Sequence, residues 1–466
     1  MQSNLIIHQQ SGEIRNESTG LEVHQVQTTQ KELPGLTNSL MEKIAESANL
    51  LQAFKAVKRN KGVAGVDRQS IQEFTKRRDH YIVEIQKQLL SSTYHPEKVL
   101  GVQIPKPKGG VRQLGIPTVK DRVVQQAISQ VLTPIFDPTF SDNSYGFRPK
   151  RSAQQAIEAA RNYVADGRIW VVDMDLEKFF DKVNHDVLMG IIVKSISDKS
   201  LLKLIRDFLT AGIMQDGLAV KRTQGTPQGG PLSPLLANIM LDQLDKELEK
   251  RKHTFCRYAD DCNIYVKSEA AAKRVLKSIS NFISKRLKLT VNQNKSAADK
   301  IAKRQFLGFR ILNDATVTIA PDTIKRIYQK IRLITRRNRG ISLKQMITQV
   351  NASIIGWYHY FKIADTITPF RSLDAWIRRK LRCFRLKQRK RKYSIKTFLT
   401  KQGADQPSSW SLAKSDKGWW RMSLNPIAHL TMSNSWFGNM GLKSLETLFV
   451  RYKQETAVCD SACTVV

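Results

Sequence analysis

Two consecutive carboxylates, Asp260 and Asp261, sit in the tetrapeptide Tyr258-Ala-Asp-Asp261 between apolar half-runs, Phe255 and Tyr258 before them and Ile264, Tyr265 and Val266 after. A third acid, Asp175, closes the apolar run Arg168-Ile-Trp-Val-Val-Asp-Met-Asp175. Carboxylates crowded within about 4 Å repel by roughly 4 kcal/mol per pair at an effective dielectric near 20, so a cluster of three is costly unless cations sit in it. Magnesium takes oxygen ligands and keeps several waters, and two or three protein carboxylates are enough to hold it. Two such ions, roughly 4 Å apart, make a hydroxyl nucleophilic and neutralise the departing phosphate in an in-line displacement at phosphorus. Spacing alone leaves Asp173 and Asp181 competing with Asp175 for the third place. A pair of Asp in a turn also has an ordinary origin, because Asp tolerates turn geometry.

Each acid needs an element to present it. The run ending at Asp175 reads as a buried central strand that delivers a carboxylate to a cleft, and residues 254 to 266 read as a hairpin with Asp260 and Asp261 at its turn. A second hairpin is expected where Val99 to Ile104 and Val111 to Ile116 flank Pro-Lys-Pro-Lys-Gly-Gly; it carries Lys106, Lys108 and Arg112 as a basic flap. Helical stretches such as Leu235 to Leu248 lie between the strands, so the pattern is α+β.

Residues 1 to about 35 are polar without an apolar period and read as a disordered leader. Order is expected from Ser39, where Ser39 and Glu42 suggest a capping box ahead of Leu40, Ile44, Ala48, Leu51 and Phe54 at helical spacing. After about 312 an all-helical module is expected, with a basic helix from Asp322 to Arg339 and apolar positions from Leu343 to Phe361 and from Leu373 to Phe384. Arg378 to Lys392 contains no acid, a density better explained by a phosphate backbone than by a solvated face. An aromatic-rich segment from about 393 to 455, with Trp410, Trp419, Trp420 and Trp436, suggests a small separate domain, and the residues from about 456 read as a tail.

The chain holds 76 Lys and Arg against 41 Asp and Glu, an excess of +35 in 466 residues. Self-repulsion of this size calls for an anionic partner, and nucleic acid is the leading one. No run of eighteen apolar residues offers a membrane span or secretory segment, so no membrane partner is expected, and a cytosolic location is. Five cysteines, Cys256, Cys262, Cys383, Cys459 and Cys463, are too few and irregular for a disulfide framework or a zinc ribbon.

Several blocks now fall into one order: Arg112-Gln-Leu-Gly-Ile-Pro-Thr118 with Asp121-Arg122, Ser144-Tyr-Gly-Phe-Arg-Pro149, Asp175-Leu-Glu-Lys-Phe-Phe-Asp181, Gln224-Gly-Thr-Pro-Gln-Gly-Gly-Pro-Leu-Ser-Pro234, Tyr258-Ala-Asp-Asp261 and Phe306-Leu-Gly-Phe309. In content and sequence they resemble the group II intron reverse transcriptase and maturase proteins, and the likeness runs from about residue 49 to about residue 445.

The resemblance implies a right-hand polymerase: fingers over 36–165, palm over 166–311, a thumb that is also the maturase domain over 312–392, and a DNA-binding segment over 393–455. It selects Asp175 with Asp260 and Asp261 as ligands of two Mg2+ ions, and makes Phe180 a steric gate against the ribose 2′ hydroxyl. Lys106 and Arg112 would grip the incoming deoxynucleoside triphosphate, Gln228 would contact it, and Lys295 would supply a proton to pyrophosphate. Gly356-Trp-Tyr-His-Tyr-Phe361 and Asp374-Ala-Trp-Ile-Arg-Arg379 resemble the maturase domain, whose RNA-binding cations here would be Arg378, Arg379, Arg382, Lys387, Arg389, Lys390, Arg391 and Lys392. Lys417-Gly-Trp-Trp-Arg421 and Asn434-Ser-Trp-Phe437 look like the DNA-binding segment of shorter relatives. Expected partners are group II intron RNA, an RNA template with its DNA primer, and target DNA, in a bacterial cytosol near the nucleoid. Nothing after residue 445 resembles the HNH endonuclease of many relatives, so bottom-strand cleavage is not expected and priming from a nascent strand or single-stranded DNA is. Two other readings differ in kind. A splicing factor that has lost synthesis would have damaged acids, whereas a host-adopted reverse transcriptase would lack flanking intron RNA.

Overall fold

The structure, a computed structural model, describes residues 39–105, 109–215 and 218–463. The polar leader, Lys106 and Lys108 lie outside the described residues, as do the side chains of Cys459 and Cys463.

Ten strands are found among the described residues: β1 (Val99–Pro105), β2 (Val111–Ile116), β3 (Trp170–Met174), β4 (Ile213–Gln215), β5 (Leu218–Val220), β6 (Thr254–Tyr258), β7 (Asp261–Val266), β8 (Ala297–Lys300), β9 (Phe309–Ile311) and β10 (Val317–Ile319). One sheet has the order β2-β1-β4-β5, with β1 antiparallel to β2 and parallel to β4. The central sheet has the order β6-β7-β3-β8 and is antiparallel throughout, so the strand before Asp175 is interior, as expected.

Side chains of successive strand residues leave opposite faces of a sheet. Both faces are apolar here: Val172, Met174, Phe255 and Ile264 enter one core, while Val171, Cys256 and Tyr265 enter another. The first core holds the N-terminal helices and the helices Ser233–Lys250 and Glu269–Phe282. The second holds the helix Ala153–Ala165 and the whole C-terminal helical module. A strand covered on both sides loses the polar half of its alternation, which is why β3 reads as a continuous apolar run.

Four local expectations are corrected. Ser39 makes no side-chain cap, because its backbone (φ −126, ψ 34) is not the extended conformation that aims a hydroxyl at the helix. The backbone N–H of Met41 instead donates to Asp198 Oδ2 at 2.8 Å, while Asp198 Oδ1 caps the helix Lys199–Thr210 at Leu201 N–H. The helix then breaks at Glu46 into Leu40–Ala45 and Ser47–Arg59, and this re-phases the buried stripe to Leu50, Ala53, Phe54 and Val57, leaving Ala48 exposed. The module after 312 is not all helical at its start, since Val317 and Ile319 alternate inward on β10, paired with β9 across a turn containing Ala315 at φ +65. Finally, the helix Leu445–Cys463 runs past residue 456 with no Gly or Pro to stop it, where a tail is expected.

The module's long helices are Pro321–Ile334, Leu343–Phe361, opened by a Ser342/Gln345 capping box, and Thr368–Arg389. Phe398, Leu412, Met422, Phe437 and Phe449 share their core with Leu373 and Ile377, so the 393–455 segment packs as a continuation of these helices. No helix among the described residues is long and apolar enough to cross a membrane.

Candidate active site

Antiparallel pairing sets Met174 opposite Cys262, so Asp175, one residue on, stands beside Asp261. Cα atoms of such neighbours are about 4.5–5.5 Å apart, which brings the three acids from two distant stretches of chain to one strand end. The backbone of Asp175 is clamped on both sides: its N–H donates to Ser296 Oγ at 3.0 Å and its carbonyl accepts from Asn292 N–H at 2.8 Å. Lys295 Nζ lies 3.1 Å from Asp175 Oδ2 and 3.4 Å from Oδ1, a countercharge held over the acid.

The competitors for the third place separate. Asp173 is taken by Arg304, whose Nε and Nη2 lie 2.9 and 2.5 Å from Asp173 Oδ2 and whose Nη2 also donates to the Lys295 carbonyl at 2.7 Å. Asp181 is exposed two residues beyond the buried Phe179, where its charge acts on Arg222.

Beneath the Asp260-Asp261 turn lies a wholly buried ion pair that the sequence reading missed. Arg257 grips Asp245 of the Ser233–Lys250 helix (Nε–Oδ1 2.7 Å, Nη2–Oδ2 2.6 Å), with both side chains fully buried. The remaining guanidinium protons go to Asn238 Oδ1 (3.0 Å), Ser144 Oγ (2.8 Å) and the Ala259 carbonyl (3.0 Å), the last of these inside the turn itself. Asn238 Nδ2 in turn donates to the Gly146 carbonyl at 2.9 Å. Gly146 presses flat on the turn, where any Cβ would meet Tyr258 C at 2.9 Å and clash with the Ala259 nitrogen. The signal was an arginine in an otherwise apolar half-strand, Phe255-Cys-Arg-Tyr, because a charge at an inward position requires a buried partner.

Asp261 is open to solvent yet walled by protein and by other acids. Burial first, then Asp260, Asp173 and Asp175, push its carboxyl up to about 7. Asp260 is raised too, by burial and Asp175, against the pull of Arg112 and Lys295. Arg112, exposed on β2, therefore faces the acids from the basic hairpin as expected.

Among the described residues no three His, Cys, Asp or Glu side chains converge tightly enough, in the positions they hold here, to bind an ion. The donor set still fits a hard cation: it is all oxygen, crowded and electrostatically unsatisfied. Closing it on an ion requires Lys295 to release Asp175. One outcome is expected from the raised Asp261. Its neutral form is favoured in the folded state, so its contribution to stability is full below its unfolded value of about 4 and is lost as pH rises through about 7. In chelator, thermal melts of Asp261→Asn against wild type should therefore show a Tm advantage that grows between pH 5 and pH 8, both values of about that size; an advantage that shrinks with pH contradicts the crowding.

Beside the acids, Phe180 is half-buried on the short helix Phe179–Lys182, its ring centroid 5.1 Å from that of Phe179. Its carbonyl accepts from Thr226 N–H at 2.6 Å, and Gly225, at φ +85, lies so close to the Phe180 and Asp181 carbonyls that no Cβ fits. The same loop reaches the basic hairpin, where the Gln228 carbonyl accepts from Gly115 N–H at 2.9 Å. Asp173, Asp175 and Asp261, with Lys295, line an open cavity of about 460 Å³ whose further wall includes Arg304, Arg310 and Asp322.

Of the eight cations expected to meet RNA, Arg382 is corrected: it is 4% exposed, donates to the Met432 carbonyl at 3.0 Å, and ties Thr368–Arg389 to the following segment. Burial pushes its guanidinium down to about 10. Lys390, Arg391 and Lys392 are exposed where the helix ends, at Lys390 with φ +56. Arg378, Arg379, Lys387 and Arg389 are half-buried, with Arg389 over the Phe398 ring at 4.7 Å.

Residues 104–311 match the family described as reverse transcriptase (RNA-dependent DNA polymerase), and residues 324–403 match the group II intron, maturase-specific domain. Protein YkfC of Escherichia coli (strain K12) is 32% identical over 353 residues, 66% of this chain and 90% of its own. Group II intron-encoded protein LtrA of Lactococcus lactis subsp. cremoris is 40% identical over 177 residues, 38% of this chain and 29% of its own length. A solved partial Cas6-RT-Cas1--Cas2 complex aligns with 54% of this chain and 43% of its own, at 26% identity and a TM-score of 0.35.

Proposed function

The chain belongs to the family of group II intron reverse transcriptases and maturases, RNA-directed DNA polymerases with a helical maturase domain, and from this premise we propose that it extends a DNA primer on an RNA template at Asp175, Asp260 and Asp261, with two magnesium ions. The reading rests on one observation, the β3–β7 register that makes Asp175 a neighbour of Asp261. Bound divalent ions would supply the acidity that ionises the primer 3′ hydroxyl and the charge that neutralises pyrophosphate. Asp175, Asp260 and Asp261 would hold them. Arg112, together with Lys106, neutralises the triphosphate, and the Gln228 loop lines the nucleotide's seat. Lys295, freed from Asp175, protonates the leaving pyrophosphate.

Phe180 fills the space that a ribose 2′ hydroxyl would enter. Replacing it with Val removes that obstruction, and the preference for deoxynucleotides over ribonucleotides should fall by about tenfold or more, as expected for opening a tightly packed pocket by a few carbon atoms. Single-nucleotide incorporation measures it; an unchanged preference makes Phe180 a core residue only.

In the same proposal, residues 36–165 are fingers, 166–311 palm, 312–392 thumb and maturase domain, and 393–455 a DNA-binding segment. Arg378, Arg379, Lys387, Arg389, Lys390, Arg391 and Lys392 meet phosphates of the intron RNA, and the protein works in the bacterial cytosol beside the nucleoid, assisting splicing and intron mobility. The deciding experiment is primer extension on an RNA template with magnesium, run beside splicing of the neighbouring intron. Full-length cDNA is the expected result; no extension with either magnesium or manganese overturns the assignment.

A further inference from the structure

Away from the acids, the helix Pro321–Ile334, the residues that follow it, the helix Thr368–Arg389 and the short helix Trp419–Met422 enclose an open cavity of about 690 Å³. Five cations line it, Arg332, Arg336, Arg337, Lys380 and Lys387, and no carboxylate does. Like charges gathered this way repel unless an anion joins them. The rest of the wall includes three indoles, Trp376, Trp419 and Trp420.

These rings are fixed in place. The Arg379 guanidinium lies 3.7 Å from the Trp420 ring centroid and donates to the Trp420 carbonyl at 3.3 Å. Lys380 Nζ stands between two indoles, 4.8 Å from Trp420 and 5.2 Å from Trp376, and Tyr328 backs Trp376 at 4.7 Å. Trp420 is half-exposed and, unlike Trp419 and Trp436, is not packed against the apolar core. Arg379 and Lys380 cover part of the Trp420 ring; the indole surface they leave open, with the cavity's other cations beside it, has the chemistry of a seat for a nucleobase whose phosphate is held nearby.

We propose that this cavity takes a single unstacked nucleotide of a nucleic-acid strand, the base against Trp420 and its phosphates on Arg332, Arg336 and Arg337. The pocket rests on the nucleic-acid-binding role proposed above and adds to it a discrete site, which lets a surface otherwise reading only phosphate grip a strand where it is not paired. The volume is ample for one nucleotide and lies within the range of small-ligand sites.

The test uses the full chain and a short single-stranded RNA carrying one 2-aminopurine, beside DNA of the same sequence. The expected result is quenching on binding to wild type. Trp420→Ala should lose the quench and weaken affinity by about tenfold, the scale of one base–aromatic stack. Arg336→Glu, at an exposed position that the fold tolerates, should weaken binding by a similar factor. A loss confined to RNA identifies an RNA strand as the occupant, and an equal loss on both identifies any single strand; each upholds the pocket. Wild-type affinity and quenching in both variants overturn it. A wild-type protein that quenches the probe but extends no primer defeats the polymerase reading and leaves the pocket standing.

Discussion

Asp260→Ala abolishes cDNA synthesis, lowering primer extension by about a thousandfold or more, while the protein stays folded and keeps its affinity for RNA. The size follows from the several kcal/mol of charge stabilisation that a metal site contributes to phosphoryl transfer, at about 1.4 kcal/mol per decade of rate. Folding is spared because Asp260 lies at a turn, half-exposed, and its removal relieves repulsion from Asp175. Primer extension and filter binding on the same preparation check both halves. Full-length cDNA from the variant defeats the assignment, whereas loss of both activities together means that the turn has a structural role instead.

The second large effect is expected at the buried pair beneath the turn, where Arg257 stands three residues before Asp260. Breaking a buried ion pair by removing one partner leaves an uncompensated charge and costs about 3–5 kcal/mol. Asp245→Ala strands Arg257, which is fully buried, and in a chain of this size, where each kcal/mol moves the midpoint by about 1 °C, should lower Tm by about 3–5 °C. Replacing both partners, Asp245→Leu with Arg257→Met, should recover much of that stability, since an apolar pair of similar volume is often neutral. It cannot restore the donor to the Ala259 carbonyl. The double variant should therefore melt near wild type and still polymerise slowly, with the loss in kcat and not in RNA affinity. If its kcat is that of wild type, the pair supports the fold alone.

What the sequence carried plainly was anything encoded by neighbours in the chain. The Asp260-Asp261 hairpin, the basic hairpin and the strand before Asp175 each declare themselves within a dozen residues, through apolar runs broken by turn residues. What it did not carry were side-chain bonds across long separations. Asp173 is withdrawn from the acid cluster by Arg304, 131 residues away, and nothing at Asp173 itself announces this. Arg382 stands in an acid-free basic run and looks like its neighbours, yet its place on the inner face of the helix sends it to the Met432 carbonyl. Ser39 and Glu42 have the spacing of a capping box, but Asp198 reaches the helix end from another element and takes over the task.

The central sheet has one further consequence. Val171 and Val172, Phe255 and Cys256, Ile264 and Tyr265 point alternately into two different interiors. The strands that present the acids are thus a party wall, with no outer side of their own. Whatever shifts the C-terminal helices leans directly on the masonry that carries Asp175 and Asp261, so the seating of those helices and the alignment of the acids are two readings of one displacement. For the same reason the catalytic half is not a freestanding part: divided from the helices that follow, it would bare an entire face of its own floor to water.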